Sequence, residues 1–266
     1  MVCNRHHRAF TLVELAVVLV IIGLIIGGIM TGKGLLRASE VRSVAADYAK
    51  LAGAVQSFKD KFSAIPGDFS GATQIWGRYV VAATCVTNSA AAVTTPGTCD
   101  GDGDSLLGTP AATSASAERF QFWKHLQLAG LIDGNYTGLS GTAGKFHAIP
   151  GTNTPVGKLS NSGWNVITNL TTTYTTDGFT TEYGNTLHFG GALSPGGAVD
   201  KILTPEEAWG IDTKMDDGRP AYGMVLAFYL SCSTPDTGTS IIGNLDQSYN
   251  LGATTKECSL VFRNAW

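Results

Sequence analysis

The sequence predicts an α+β protein, a very long N-terminal helix followed by a head of short strands and short helices. Three observations carry this. From Leu15 to Gly32 there is no charged side chain, which is about the 18 to 20 residues a membrane-spanning helix needs. Beyond it Val41, Val44, Tyr48, Leu51, Val55, Phe58 and Phe62 recur three and four apart, with Glu40, Arg42, Asp47, Lys50, Lys59 and Asp60 mainly on other faces. That is a helical period, so the helix runs on. After Pro66 the chain breaks into short Thr-, Val- and aromatic-rich runs between Gly and Asn, the composition of small strands and turns.

The helix begins within Arg8-Ala9-Phe10-Thr11-Leu12-Val13-Glu14-Leu15. One acid, Glu14, stands at the start of the apolar run. A charge costs on the order of 2.5 to 3.5 kcal/mol at a bilayer centre and less near the interface, so its partner is to be sought. Upstream lie Arg5, His6, His7 and Arg8. The arginines favour a cytoplasmic N-terminus, although Lys33 and Arg37 follow the span and weaken the bias. An ordinary membrane anchor is the plain alternative. A secretory signal peptide fits less well, because its apolar region would be about 7 to 15 residues long and end at a small-x-small site.

The basic leader, the small residue Ala9 and Phe10-Thr11-Leu12-Val13-Glu14 opening an apolar helix resemble the type IV pilin and pseudopilin family over about residues 5 to 40. The residue before the cut is usually Gly in that family and is Ala9 here. The resemblance implies a pilin fold, with the second half of the helix packed on an antiparallel sheet. It implies a leader, residues 1–9, removed by prepilin peptidase between Ala9 and Phe10, and N-methylation of Phe10 by the same enzyme. The helix would span residues 10–64, its part 10–32 lying in the inner membrane and later in a filament core, and residues 65–266 would form the head. The chain would be a structural subunit of a type IV pilus or related filament, not an enzyme. Its partners would be copies of itself or other pilins and an inner-membrane assembly platform. It would end in an extracellular pilus or, as a type II secretion pseudopilin, in a periplasmic one. A minor pilin with an adhesive head is a further alternative. Cleavage would place an ammonium on Phe10, four residues before Glu14, and i and i+4 share a helix face. Glu14 could then pair with its own terminus or a neighbour's, setting the register of assembly.

The rest of the chain bounds the head. Its 266 residues allow one sizeable core after the anchor. A net charge of −3 gives no argument for nucleic acid, and none is expected as partner. Of five cysteines, Cys3 falls in the leader. Cys85, Cys99, Cys232 and Cys258 form an even set suited to an oxidising compartment. They allow three pairings, of which Cys85–Cys99 and Cys232–Cys258 close the shortest loops and are favoured.

The long helix should stop at Ile65-Pro66-Gly67. Residues 65–79 read as a turn and a short helix, and residues 82–117 as a long surface loop. Within that loop Asp100, Asp102 and Asp104 alternate with Gly101 and Gly103. This resembles the first half of an EF-hand loop and makes the three acids candidate Ca²⁺ ligands, beside the plainer reading of a solvated acidic turn. The match stops there, since Ser105 and Ala111 stand where such a loop has Gly and Glu. A second acidic turn, Asp212, Asp216 and Asp217-Gly218, reads mainly as a turn leading into a strand. Residues 116–130 read as an amphipathic helix with Phe120, Trp123 and Leu126 on its apolar face. Residues 145–149, 164–167, 171–175, 185–189, 222–232 and 258–262 read as strands, with 222–232 the strongest. Thr204-Pro205-Glu206-Glu207 is a capping box opening a short helix.

Enzyme motifs are absent from the sequence. His125, His147 and His188 are too widely spaced for a His-x-x-x-His pair, and neither a nucleophile elbow nor a phosphate loop occurs.

Overall fold

The computed structural model describes residues 11–78, 97–107, 115–141, 146–167, 178–179, 181, 183–194, 196–234, 246–263 and 265–266. Its chain divides into two compact units, residues 1–41 and 42–266. Helix α1 runs Leu12–Phe62 and contributes to both.

In the first unit the large apolar side chains of α1 are exposed from Leu12 through Leu36. By length and composition this helix can cross a membrane. The glycines at 23, 27, 28 and 32 meet nothing beyond their own helix, and the Thr31 hydroxyl donates to Gly27 O at 3.0 Å.

In the second unit the helical stripe read from the sequence is the buried one. Val44, Tyr48, Leu51, Val55 and Phe58 are buried, joined by Ala54. Tyr48 stacks on Phe262 with ring centroids 4.5 Å apart, and its hydroxyl reaches Met224 Sδ at 3.6 Å. Phe262 lies 5.6 Å from Trp164, and Trp164 lies 5.0 Å from Phe189. Those three rings belong to three strands, so α1 packs across a sheet. The helix ends where expected. Ser63 turns to φ 52° with its N–H still on Lys59 O at 2.8 Å, and Pro66 follows. Gly67 has φ 90°, and a Cβ there would collide with Glu118 O. Only glycine meets both demands.

The sheet contains β1 (Ser162–Ile167), β2 (Thr186–Ala192), β3 (Ala198–Asp200), β4 (Val225–Ala227) and β7 (Leu260–Phe262). Its order is β1-β2-β7-β4, antiparallel throughout, with β3 pairing on β2 across an irregularity at Gly191/Ala192. The register sets Trp164 opposite Phe189, Leu187 opposite Phe262 and Leu226 opposite Val261. A second ribbon pairs β5 (Ser233–Thr234) with β6 (Ser248–Tyr249). The expected α+β architecture is therefore present, a long N-terminal helix lying on an antiparallel sheet.

Among the described residues the head holds three shorter helices as well: α2 (Ala72–Trp76), α3 (Ala115–Leu128) and α4 (Pro205–Met215). The α4 capping box is complete. Thr204 accepts Glu207 N–H at 3.3 Å, and Glu207 accepts Thr204 N–H at 2.9 Å.

Several expectations need correction. The 222–232 run is a strand only over Val225–Ala227, then turns through a short 3-10 segment at Leu230–Cys232. Arg219, Pro220 and Gly223, at φ 74°, keep its first residues in turns. Residues 146–149 form no strand; Asn153 captures Ile149 N–H at 2.6 Å and ties the segment into a turn. Helix α3 is buried all round from Phe120 to Leu126 rather than on one face. The expected surface loop is exposed only over residues 102–105 where its burial is described, since Thr98, Cys99 and Leu107 are buried. The 171–175 strand lies outside the described residues.

Candidate functional site

Glu14 is where the chemistry of the N-terminal unit concentrates. Thr11 stands at the N-cap position, just before the first helical residue. Its N–H and its hydroxyl both donate to Glu14 Oε2, each at 2.8 Å. Glu14 N–H donates back to Thr11 Oγ1 at 3.2 Å. This is a reciprocal capping box at the mouth of an apolar helix. A carboxylate at the N-terminal end of a helix also meets the positive end of the macrodipole. The acid that the sequence leaves looking for a partner has one within its own chain. Helix α1 begins after Thr11. Ala9 and Phe10 lie outside the described residues.

The second concentration of charge is the 97–107 segment. Asp100 turns away from its acidic neighbours and caps α2, accepting Thr73 N–H and the Thr73 hydroxyl at 2.7 Å each. Asp102 and Asp104 converge instead with Asp68, their carboxylate oxygens within 4.8 Å of one another. Asp68 is buried. It accepts the N–H groups of Gly103, Asp104 and Ser105 at 2.6, 3.1 and 2.9 Å. Glu118, at the start of α3, accepts Asp102 N–H at 3.1 Å. Burial pushes the Glu118 carboxyl up to about 8, with Asp102, Asp68 and Asp104 adding to it. Burial likewise raises Asp68, against the pull of its backbone donors. Oxygens of this kind suit a hard divalent cation. The same oxygens already serve backbone N–H groups, so the cluster also fastens the loop to α2 and α3. Asp68 and Glu118 escape sequence reading because they lie outside the alternating run.

Asp212, Asp216 and Asp217 form a second group of the same size. Asp212 is fully buried, accepts Tyr249 O–H at 2.8 Å and Gly218 N–H at 3.2 Å, and is pushed up to about 7 by burial. Asp216 accepts the N–H groups of Met224 and Val225. This is the turn leading into β4, as the sequence suggested, built around acids that catch backbone donors.

Of the cysteines, Cys232 and Cys258 are bonded to each other with Cα atoms 5.0 Å apart. Beside them Leu203 and Cys258 bridge backbone to backbone. Cys99 is disulfide-bonded as well; Cys85 lies outside the described residues. Among the described residues no histidine joins a metal-holding group. His125 and His188 are each fully buried, the first bonded to Gly67 N–H and Cys99 O.

The geometry therefore offers a capped acid on an exposed apolar helix and a head fastened by disulfide and carboxylate clips. Residues 4–30 match the family model described as the prokaryotic N-terminal methylation motif. Comparisons with curated proteins and with solved structures gave no match.

Proposed function

We propose that this chain is the precursor of a pilin-like subunit, cut between Ala9 and Phe10, methylated on Phe10, and assembled into a filament through α1. The observation that carries this is the methylation motif on residues 4–30, seated where α1 exposes apolar side chains from Leu12 to Leu36. An apolar surface of that extent needs lipid or other helices around it. Lipid would receive it in the precursor, and neighbouring α1 helices would receive it in the filament. In either setting an ionised Glu14 is costly unless it meets a positive charge, and the amino terminus of another copy is the charge that assembly brings. The head, held by its own core and by Cys232–Cys258, would form the outer surface.

The test is mass spectrometry on filaments sheared from the native cell and on the remaining envelope. The expected result is a peptide beginning at N-methyl-Phe10 in the sheared fraction. Its abundance separates a major subunit from a minor one. A processed chain confined to the envelope would favour a secretion pseudopilin. A chain still beginning at Met1, or one cut after about residue 30, would overturn the reading.

A further inference from the structure

Beyond α3 the chain carries Asp133-Gly134-Asn135-Tyr136-Thr137. An asparagine followed two residues on by a hydroxyl is the acceptor pattern for N-linked glycans on exported chains. The fold presents this asparagine to solvent. Gly134 turns at φ 120°, a conformation that glycine adopts without penalty, and a Cβ there would strike the Tyr136 ring. Tyr136 is buried beneath the turn, with its O–H donating to Asp133 O at 2.9 Å. Thr137 N–H donates to Thr152 O at 3.0 Å. With Tyr136 held inward, Asn135 is left exposed, and its side chain makes no hydrogen bond among the described residues. Asp133 is exposed as well, its carboxylate meeting Lys50 of α1 at 2.8 Å.

We propose that Asn135 is the acceptor of an N-linked oligosaccharide. The donor is a lipid-linked pyrophosphate oligosaccharide, and the catalyst is a membrane oligosaccharyltransferase. Nδ2 forms a bond to the anomeric carbon. The bond from that carbon to the pyrophosphate oxygen breaks, the lipid pyrophosphate leaves, and one Nδ2 proton passes to a base on the enzyme. An amide nitrogen is a poor nucleophile, because its lone pair is conjugated with the carbonyl. The transferase must therefore grip the segment firmly enough to twist the amide. The Asp133 carboxylate and the Thr137 hydroxyl flank Asn135 as two such grips, each two residues away. In the folded head both are engaged, Asp133 with Lys50 and the Thr137 hydroxyl with the backbone of Leu139. Transfer thus precedes closure of this turn, and the closed turn leaves the glycan in solvent. A second triplet, Asn169-Leu170-Thr171, has Ile167 in place of the acid and lacks one grip. Modification needs only that the head be exported, whether or not it assembles.

The experiment is mass spectrometry of the full chain purified from membranes of the native cell, read on the tryptic peptide 125–145 that Lys124 and Lys145 define. Wild type is expected to carry an oligosaccharide mass on this peptide, placed on Asn135 by fragmentation that retains the glycan. Asn135→Gln, a change at an exposed residue, is expected to abolish it. Thr137→Ser keeps the hydroxyl and stays modified. Asp133→Asn is expected to lower occupancy about tenfold, the worth of one charge-assisted contact with the transferase. A wild-type peptide found only at its unmodified mass overturns the proposal, and so does a glycan that survives Asn135→Gln. An Asp133→Asn chain as fully modified as wild type overturns the part given to the acid. A chain absent from filaments sinks the filament reading and leaves these outcomes untouched.

Discussion

Replacing His125 by leucine makes the sharpest test of the head. The ring is fully buried on α3. Its Nδ1 accepts Gly67 N–H at 2.9 Å, so Nε2 carries the proton and donates it to Cys99 O at 3.0 Å. One neutral imidazole thus joins the turn after α1 to the 97–107 segment. Burial pushes its pKa down from 6.5 to about 4. Between those values the unfolded chain binds a proton that the folded chain refuses. Stability is therefore intact above pH 6.5 and is lost as pH falls toward 4. At 1.36 kcal/mol per pH unit the loss reaches about 2 kcal/mol at pH 5 and about 3 at pH 4. Leucine removes this titration and also takes the imidazole acceptor from Gly67 N–H and the imidazole donor from Cys99 O, which costs about 2 to 4 kcal/mol at pH 7. The assay is urea unfolding of the oxidised full chain in mild detergent at pH 7 and pH 5. The stability gap between wild type and His125→Leu should narrow by about 2 kcal/mol at the lower pH. His188, pushed down to about 3 by burial, titrates in both chains and cancels. A gap of the same size at both pH values would refute the account of a buried neutral imidazole.

Three more outcomes follow from the packing. Phe58→Ala empties a site ringed by Phe62, Phe69, Trp76 and His125 and should cost about 3 to 5 kcal/mol in denaturant melts. Replacing both Cys232 and Cys258 by serine opens a 26-residue separation; chain-entropy arguments put the loss at about 3 to 4 kcal/mol, read as a lowered Tm under non-reducing conditions. Thr204→Ala removes the α4 cap and should lower stability by about 1 kcal/mol in the same melts, with the glutamate at 207 left in place.

The long helix was legible because its signal is long. The stripe from Val44 to Phe58 repeats over four turns, and the stop at Pro66 is a steric fact. The sheet was legible only in part. In β1 every residue is buried, and in β2 all but Ala192 are. Two-sided burial leaves no alternation to read, and His188 inside β2 looks polar from the sequence alone. Helix α3 misled in the same way, since burying Gln121, Lys124 and His125 along with its aromatics erases the polar face. The acidic loop shows another limit. Spacing placed Asp100 with Asp102 and Asp104, whereas folding brings in Asp68 from a turn far back in the chain. At Glu14 the clue was local and available. Thr11-Leu12-Val13-Glu14 has the same spacing as Thr204-Pro205-Glu206-Glu207. Only the second reads readily as a cap, because the first stands inside a run whose hydrophobicity draws attention to the membrane.

The place of β7 in the chain bears on how the head comes into being. This three-residue strand is the middle of the sheet, flanked by β2 and β4, yet it comes from residues 260–262. Leu187 waits on Phe262 across a separation of some 75 residues, and Tyr48 on α1 waits on the same ring across more than 200. Until that segment has been synthesised, the face that receives α1 lacks its central ring, and Cys232 lacks its bonding sulfur. Contacts so distant in sequence form slowly. The nascent head is thus an open half-sheet for most of its synthesis, and its closure is a late event in which strand, helix docking and disulfide arrive together.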